Sequence, residues 1–184
     1  MNIRTVLDKA WRDEGRIPPP VLFAGAWLAQ SLASSRRAGV VPRALGAVVG
    51  LGSVALAASA AAGFARRGTT LDPLVPDAQV LVTTGANAVS RNPMYTGLLG
   101  ALTARALSRG SALALAPVVA VAYLLETRQI PAEEKVLTER FGAEYEAYRE
   151  STPRWLDARS AESLRALAQP HLPVRPPHSP HPAR

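Results

Sequence analysis

The sequence predicts an all-α polytopic membrane protein: a helical bundle of about four transmembrane helices, a C-terminal cytoplasmic amphipathic helix and a disordered tail. Three observations predict it. The 184 residues carry 21 Lys+Arg and 14 Asp+Glu, yet residues 17–35 and 44–65 carry none. Two further uncharged runs, Asn92–Ala104 and Gly110–Leu125, flank Arg109-Gly110 like the arms of a hairpin. After residue 130 the pattern changes to an acid-rich stretch with one apolar stripe.

Residues 1–16 form an N-terminal cytoplasmic segment containing Arg4, Lys9, Arg12 and Arg16. Leu32-Ala33-Ser34 loosely resembles the end of a signal peptide. Asp8, Asp13 and Glu14 dilute the basic region, however, and three prolines precede the apolar stretch, so a retained first helix is expected. Residues 17–65 hold two membrane helices. A bilayer core of about 30 Å asks for about 20 apolar residues at ~1.5 Å each. The run 44–65 meets that, and its Gly and Ala content suits close helix packing in lipid. The run 17–35 nearly does, with Pro18-Pro19-Pro20 starting its helix. The third and fourth helices follow in the hairpin, with a kink expected at Pro117. Arg105, one turn from the bend, is placed to snorkel. Residues 133–150 read as one amphipathic helix starting after Pro131. Leu137, Phe141, Tyr145 and Tyr148 make its stripe, and Glu133 and Glu134 sit at its dipole-favoured start. Residues 159–184 are assigned to a Pro/His-rich flexible tail, six prolines falling in the last sixteen residues.

Basic residues before the first helix, between the second and third, and after the fourth outweigh Arg36, Arg37, Arg43 and Arg109. This bias places both termini in the cytoplasm of a multi-pass protein of the cell membrane.

Composition excludes several chemistries. There is no cysteine, so disulfides, thiolate metal sites and cysteine nucleophiles are out. The histidines are His171, His178 and His181, which leaves the main body without an imidazole for a triad or a metal; no metal site is expected. The net charge of +7 does not indicate nucleic acid, because the basic residues flank apolar runs instead of lining one face.

Two clusters carry chemistry. Thr83–Gly97 is polar, contains Gly85, and ends where Pro93 opens a helix. Free backbone N–H groups and Arg91 beside that start suit a carboxylate or phosphate. An ordinary capped helix entry with a positive-inside arginine accounts for the same residues. In the second cluster, adjacent Glu133 and Glu134 stand ~100° apart on a helix and make no carboxylate dyad. One is expected to point into the bundle while the other caps or solvates.

Ser90-Arg91-Asn92-Pro93-Met94-Tyr95-Thr96-Gly97, the apolar hairpin, Ile130-Pro131-Ala132-Glu133-Glu134-Lys135-Val136-Leu137 and Phe141–Tyr148 together resemble the isoprenylcysteine carboxyl methyltransferase family of integral membrane proteins. The related phospholipid N-methyltransferases are similar through the Arg–x–Pro and Glu-Glu elements. The resemblance covers about residues 66–156, within a core assigned to 66–158. It implies a transferase using S-adenosyl-L-methionine (SAM), held at the cytoplasmic ends of the last two membrane helices. The residues it assigns to the cofactor are Gly85, Ser90, Arg91, Asn92, Pro93, Tyr95, Glu133 and Glu134, with the C-terminal amphipathic helix closing over it. No catalytic residue is fixed; Arg91 and Glu134 are candidates. The chain departs from the family where Asn92 replaces a histidine and Ala86-Asn87 replaces a Pro–aromatic pair. Asn keeps donor and acceptor capacity but cannot shuttle a proton at neutral pH.

SAM carries a sulfonium, an ammonium and a carboxylate, so its site calls for both acids and an arginine or free N–H groups. The expected acceptor is lipophilic or membrane-embedded, such as a membrane lipid, with no obligate protein partner. A carboxylate is favoured because it needs no deprotonation. Two alternatives stay open. NADPH-dependent membrane sterol-type reductases share the architecture, although they commonly place a glutamate where Leu98 follows Gly97. A catalytically inactive scaffold of the same fold is the other.

Overall fold

The computed structural model describes residues 17–33, 38–66 and 80–169, which are helical and contain no strand. The N-terminal segment 1–16, the residues after 169, and Arg36, Arg37 and Arg67 lie outside the described residues.

Helix α1 (Pro19–Leu32) starts at the three prolines as expected, with Pro18 as its N-cap residue and Val21 N–H donating to the Pro18 carbonyl. Prolines cost nothing there, because the first N–H groups of a helix have no internal acceptor. Helix α2 (Val40–Arg66) is apolar on every face and 27 residues long, about 40 Å at ~1.5 Å per residue. It runs antiparallel to α4 (Pro93–Arg109), which begins at Asn92-Pro93 and ends at Gly110 in the left-handed region, φ +63°.

The α2–α4 contact is built from small residues. Gly46, Gly50, Ser53, Ala57 and Ala60 recur at alternating steps of four and three along α2. Gly46 lies against Ser108 and the Ala104 carbonyl, Gly50 against Ala104, and Ser53 and Ala57 against Gly97 and Gly100. A Cβ on Gly97 would sit 2.6 Å from the Ser53 carbonyl oxygen. Backbones this close gain dispersion contacts that compensate for the missing hydrophobic drive in lipid.

The last long element differs from expectation. A 3₁₀ turn (Ala112–Leu115), α5 (Ala116–Leu124), a π-helical turn (Leu125–Gln129) and α6 (Ile130–Phe141) form one continuous rod of 30 residues. Pro117 stands in the first turn of α5, just after the 3₁₀ turn, where the Ala114 carbonyl accepts from the Gln30 side chain. No fresh helix starts at Pro131. The wide turn, closed by Ile130 N–H donating to the Leu125 carbonyl, carries the rod past the proline. The amphipathic helix expected over 133–150 is instead broken at Gly142 (φ +49°), giving α6 and α7 (Ala143–Ser151). Residues 159–168, assigned to the flexible tail, belong to α8 (Ala158–Ala168). Asp157 accepts from Arg159 N–H at 2.9 Å, and Ser160 Oγ both accepts from Asp157 N–H and donates to the Val89 carbonyl at 2.7 Å. That reciprocal cap, docked onto the short α3 (Ala86–Val89), outweighs the weak apolar pattern.

Among the described residues, only α2 and the Ala112–Phe141 rod are long and apolar enough on their own to cross a membrane. Helices α1 and α4, at 14 and 17 residues, reach about 21 and 26 Å. Val48, Leu51 and Val54 on α2 and Val119 and Tyr123 on α5 face outward. Ala26, Leu102, Val118, Val121, Leu125 and Ile130 form the inner core. The fully buried Gln30 ties α1 into it, donating at 2.9 Å to the carbonyls of both Leu102 and Ala114. The Arg105 guanidinium lies 4.4 Å over the half-exposed Trp27 ring and donates to Gln30 and Ser31.

Candidate functional site

At the end of the bundle where α1 and α4 begin and α2 ends, a cavity of about 550 Å³ opens. That volume falls among the roughly 300–1,000 Å³ pockets that hold small ligands. Pro18, Phe23, Phe64 and Leu98 supply an apolar side; Arg91, Glu133, Glu134 and Gln129 supply a polar one; Phe141, Tyr145 and Tyr148 supply aromatic faces. The break at Gly142 turns α7 so that Leu137 and Phe141 from α6 and Tyr145 and Tyr148 from α7 still meet one cavity.

Arg91 precedes α4 in a loop pinned to the segment after α7. Its backbone N–H donates to the Pro153 carbonyl at 2.8 Å, and its Nη1 to the carbonyls of Arg149 (3.0 Å) and Thr152 (3.3 Å). Its Nη2 meets Glu134 Oε1 at 2.9 Å, both side chains being nearly buried. Arg154 grips the same carboxylate from Nε (3.1 Å) and Nη2 (2.6 Å), and its Nη1 also bonds Glu126. Trp155 Nε1 donates to Glu126 at 2.8 Å. Hydrogen bonding to Glu134 raises the Arg154 guanidinium pKa above its ordinary value. Glu134 is thus the centre of an arginine–carboxylate–arginine clamp joining α4, α6 and the segment after α7. Both of its oxygens are engaged, which suits holding geometry rather than taking a proton.

Glu133 faces the cavity separately. Its Oε1 accepts from Tyr95 Oη and from Gln129 Nε2, each at 2.6 Å. Gln129 closes the π-helical turn, so the bulge that passes Pro131 also places this glutamine one turn before Glu133. The expectation that one glutamate would be solvated fails. Both are largely enclosed, with different partners: Tyr95 and Gln129 hold Glu133, and Arg91 and Arg154 hold Glu134.

Of the residues the sequence assigned to the cofactor, Arg91, Asn92, Pro93, Tyr95, Glu133 and Glu134 line the cavity. Gly85 and Ser90 are not among its lining. Gly85 (φ +66°) precedes α3, and the fully buried Ser90 donates to the Arg154 carbonyl at 2.9 Å and accepts from Asn92 N–H. Asn92, standing where the resembling family has histidine, donates from Nδ2 to the same Arg154 carbonyl at 3.2 Å. The sequence reading missed Arg154, Glu126 and Gln129 as site residues. Arg154 counted only as one more basic residue behind the bundle; the run Thr152-Pro153-Arg154-Trp155 was its sole local signal.

The residues fit SAM. Among the described residues, Arg91 Nε is buried at the cavity wall without a hydrogen-bond partner, an open donor for a carboxylate. Glu133 offers a carboxylate for an ammonium or hydroxyl group, and the aromatic faces suit a flat base and a sulfonium. No group of three metal-ligating side chains occurs among the described residues.

A family model described as phospholipid methyltransferase matches residues 41–144, more than half of the chain. The chain belongs to the phospholipid methyltransferase family. This is the membrane group that also includes the isoprenylcysteine methyltransferases, so membership bears out the resemblance and sets methyl transfer ahead of the reductase alternative. The phospholipid methyltransferase match spans α2, the Arg91 loop, the hairpin, the glutamate pair and the Gly142 break. Tyr145 and Tyr148, which line the cavity, and Arg154, which holds Glu134, follow it. No curated protein and no solved structure matches the chain.

Proposed function

We propose that this protein is an integral membrane, SAM-dependent methyltransferase that O-methylates a carboxylate on a lipophilic acceptor. The observation that carries the reading is the single cavity in which the open Arg91 Nε–H and the Glu133 carboxylate stand beside aromatic and apolar walls. When bound there, SAM supplies an electrophilic methyl group on a sulfonium. Arg91 and Glu133 hold the polar end of the cofactor, and the Arg91–Glu134–Arg154 clamp fixes the loop that carries Arg91. Phe141, Tyr145 and Tyr148 exclude water and cover the base. Phe23, Phe64 and Leu98 provide the apolar approach for the acceptor. A carboxylate acceptor is already ionised at neutral pH, so no side chain has to remove a proton. A lipid amine is the second reading, favoured by the family description, and in that case Glu133 is the carboxylate placed to take the proton.

In this reading all four long elements cross the cell membrane, α1 and α4 completing their crossing with flanking residues. Both termini, α7 and α8 are cytoplasmic. The distribution of basic residues supports the orientation. The test is calorimetric titration of detergent-purified protein with SAM and with NADPH, followed by labelling of a membrane extract with methyl-labelled SAM. Binding of SAM alone and a base-labile methyl product are expected. A base-stable product overturns the carboxylate acceptor, and binding of NADPH in place of SAM overturns the whole reading.

A further inference from the structure

Three tyrosines line the cavity, and two have their hydroxyls committed. Tyr95 donates to Glu133, and Tyr148 to the Asn87 carbonyl at 2.6 Å. Tyr145 is only 1% exposed, and its hydroxyl meets no hydrogen-bond partner among the described residues. A hydroxyl on a cavity wall that no protein group satisfies is left for a ligand or water to satisfy, and for packing alone a phenylalanine would serve. The ring of Tyr145 stands edge-on to Tyr148, centroids 6.2 Å apart, and within electrostatic reach of Glu134 and Arg91. The same wall holds the other open donor, Arg91 Nε.

We propose that Tyr145 Oη–H and Arg91 Nε–H form a carboxylate-binding subsite of the cavity. Both open groups are donors, which calls for an anionic acceptor with more than one oxygen; an ammonium would be drawn to Glu133 instead. Burial, with Glu134 second, pushes the Tyr145 hydroxyl up to about 12, so it keeps its proton at neutral pH. The subsite rests on the methyltransferase reading for its two sources of carboxylate: the amino-acid end of the cofactor, or the acceptor.

Tyr145→Phe removes the hydroxyl and leaves the ring. The experiment is calorimetric titration in detergent of parent and variant with two ligand pairs. S-Adenosylhomocysteine is paired with its decarboxylated analogue S-adenosyl-3-thiopropylamine, which keeps the amine and lacks only the carboxylate, and palmitate is paired with hexadecanol. A hydrogen bond to a charged group predicts a loss of about ten- to a hundredfold for a carboxylate-bearing ligand, with its carboxylate-free partner unchanged. Selective loss for S-adenosylhomocysteine assigns the subsite to the cofactor, and selective loss for palmitate assigns it to the acceptor. Unchanged affinity throughout, or equal loss within each pair, overturns the subsite. Tyr148→Phe, which loses a bond to the backbone, should weaken both members of a pair alike; a carboxylate-selective loss there overturns the assignment to Tyr145. Failure of the parent protein to bind either nucleoside overturns the methyltransferase reading itself, and that result needs no variant.

Discussion

Replacing Glu134 by Gln removes the one carboxylate shared by Arg91 and Arg154, leaving the Arg91 guanidinium without its carboxylate in a largely enclosed site while Arg154 keeps Glu126. Breaking such a cluster from one side costs more than the cluster contributes, because the remaining charge stays desolvated. A loss of about 2–4 kcal/mol is expected in unfolding measured in detergent. Lys135→Ala, next along the chain but 77% exposed, should stay within about 0.5 kcal/mol. Glu133→Gln should cost less stability, since Gln still accepts from Tyr95 and Gln129, while lowering affinity for S-adenosylhomocysteine about tenfold. If Glu133→Gln destabilises as much as Glu134→Gln, the division between clamp and ligand contact is wrong. The tyrosines add a pH signature. Burial raises the hydroxyl pKa of Tyr145 from 10.0 to about 12 and that of Tyr148 further. Because the folded pKa values are raised, this stability is fully present below pH 10 and is lost as the pH rises beyond it. Each group contributes a slope of up to ~1.4 kcal/mol per pH unit between the unfolded and folded values. A Tyr145→Phe/Tyr148→Phe double variant should show a flatter decline between pH 10 and 12, and an unchanged slope would contradict the burial argument.

The antiparallel α2–α4 pair sets where α4 begins, and therefore where Arg91, Asn92 and Tyr95 stand. Gly97→Ala would put a methyl 2.6 Å from the Ser53 carbonyl oxygen and 2.8 Å from Ala57 Cβ, contacts that force the helices apart. A cost of about 1–3 kcal/mol, with weakened cofactor binding, is expected. Gly52→Ala, with open space around it, should be neutral or slightly stabilising through helix propensity of ~0.5–1 kcal/mol. Equal melting temperatures for the two variants would show that the seam is looser than drawn. Helix α8 leads to a second expectation at this scale. Ending the chain after Gln169 should leave cofactor affinity unchanged, because the proline-dense remainder offers no apolar pattern to bury. Ending it after Leu156 removes the Ser160–Val89 bond and the Asp157 cap, and should lower both stability and affinity. Affinity surviving the second truncation would mean that α8 does not brace α3.

For the molecule as a whole, apolar side chains on the outer faces of α2 and α5 predict retention in membranes at high salt and at alkaline pH. Release by salt alone would refute insertion. Orientation is testable because the chain has no cysteine of its own. Single Ser111→Cys and Ser163→Cys variants should react with a membrane-impermeant maleimide from opposite sides, Ser163→Cys from the cytoplasm. Labelling of both from one side would remove the four-span reading.

The sequence by itself determined the elements whose cause is local. Charge segregation marked α2 and the hairpin, the three prolines marked the start of α1, Asn92-Pro93 the start of α4, and Gly110 the bend. Six of the eight motif residues share the cavity, Gly85 and Ser90 being the exceptions, because two antiparallel helices return the chain to the end it left, bringing Arg91 within 2.9 Å of Glu134. Tertiary structure alone decided how they are used. Arg154 bonds Glu134 from 20 positions away and Tyr148 reaches Asn87 across 61, pairings that depend on where whole helices dock and leave no periodic trace. The division of labour between Glu133 and Glu134 follows from the phase of α6, which the π-helical turn before Pro131 shifts by one residue. The break at Gly142 was hidden for a related reason: Leu137, Phe141, Tyr145 and Tyr148 keep helical spacing through it. Spacing records which side chains share an environment, whereas the backbone between them is settled by what that environment has to enclose.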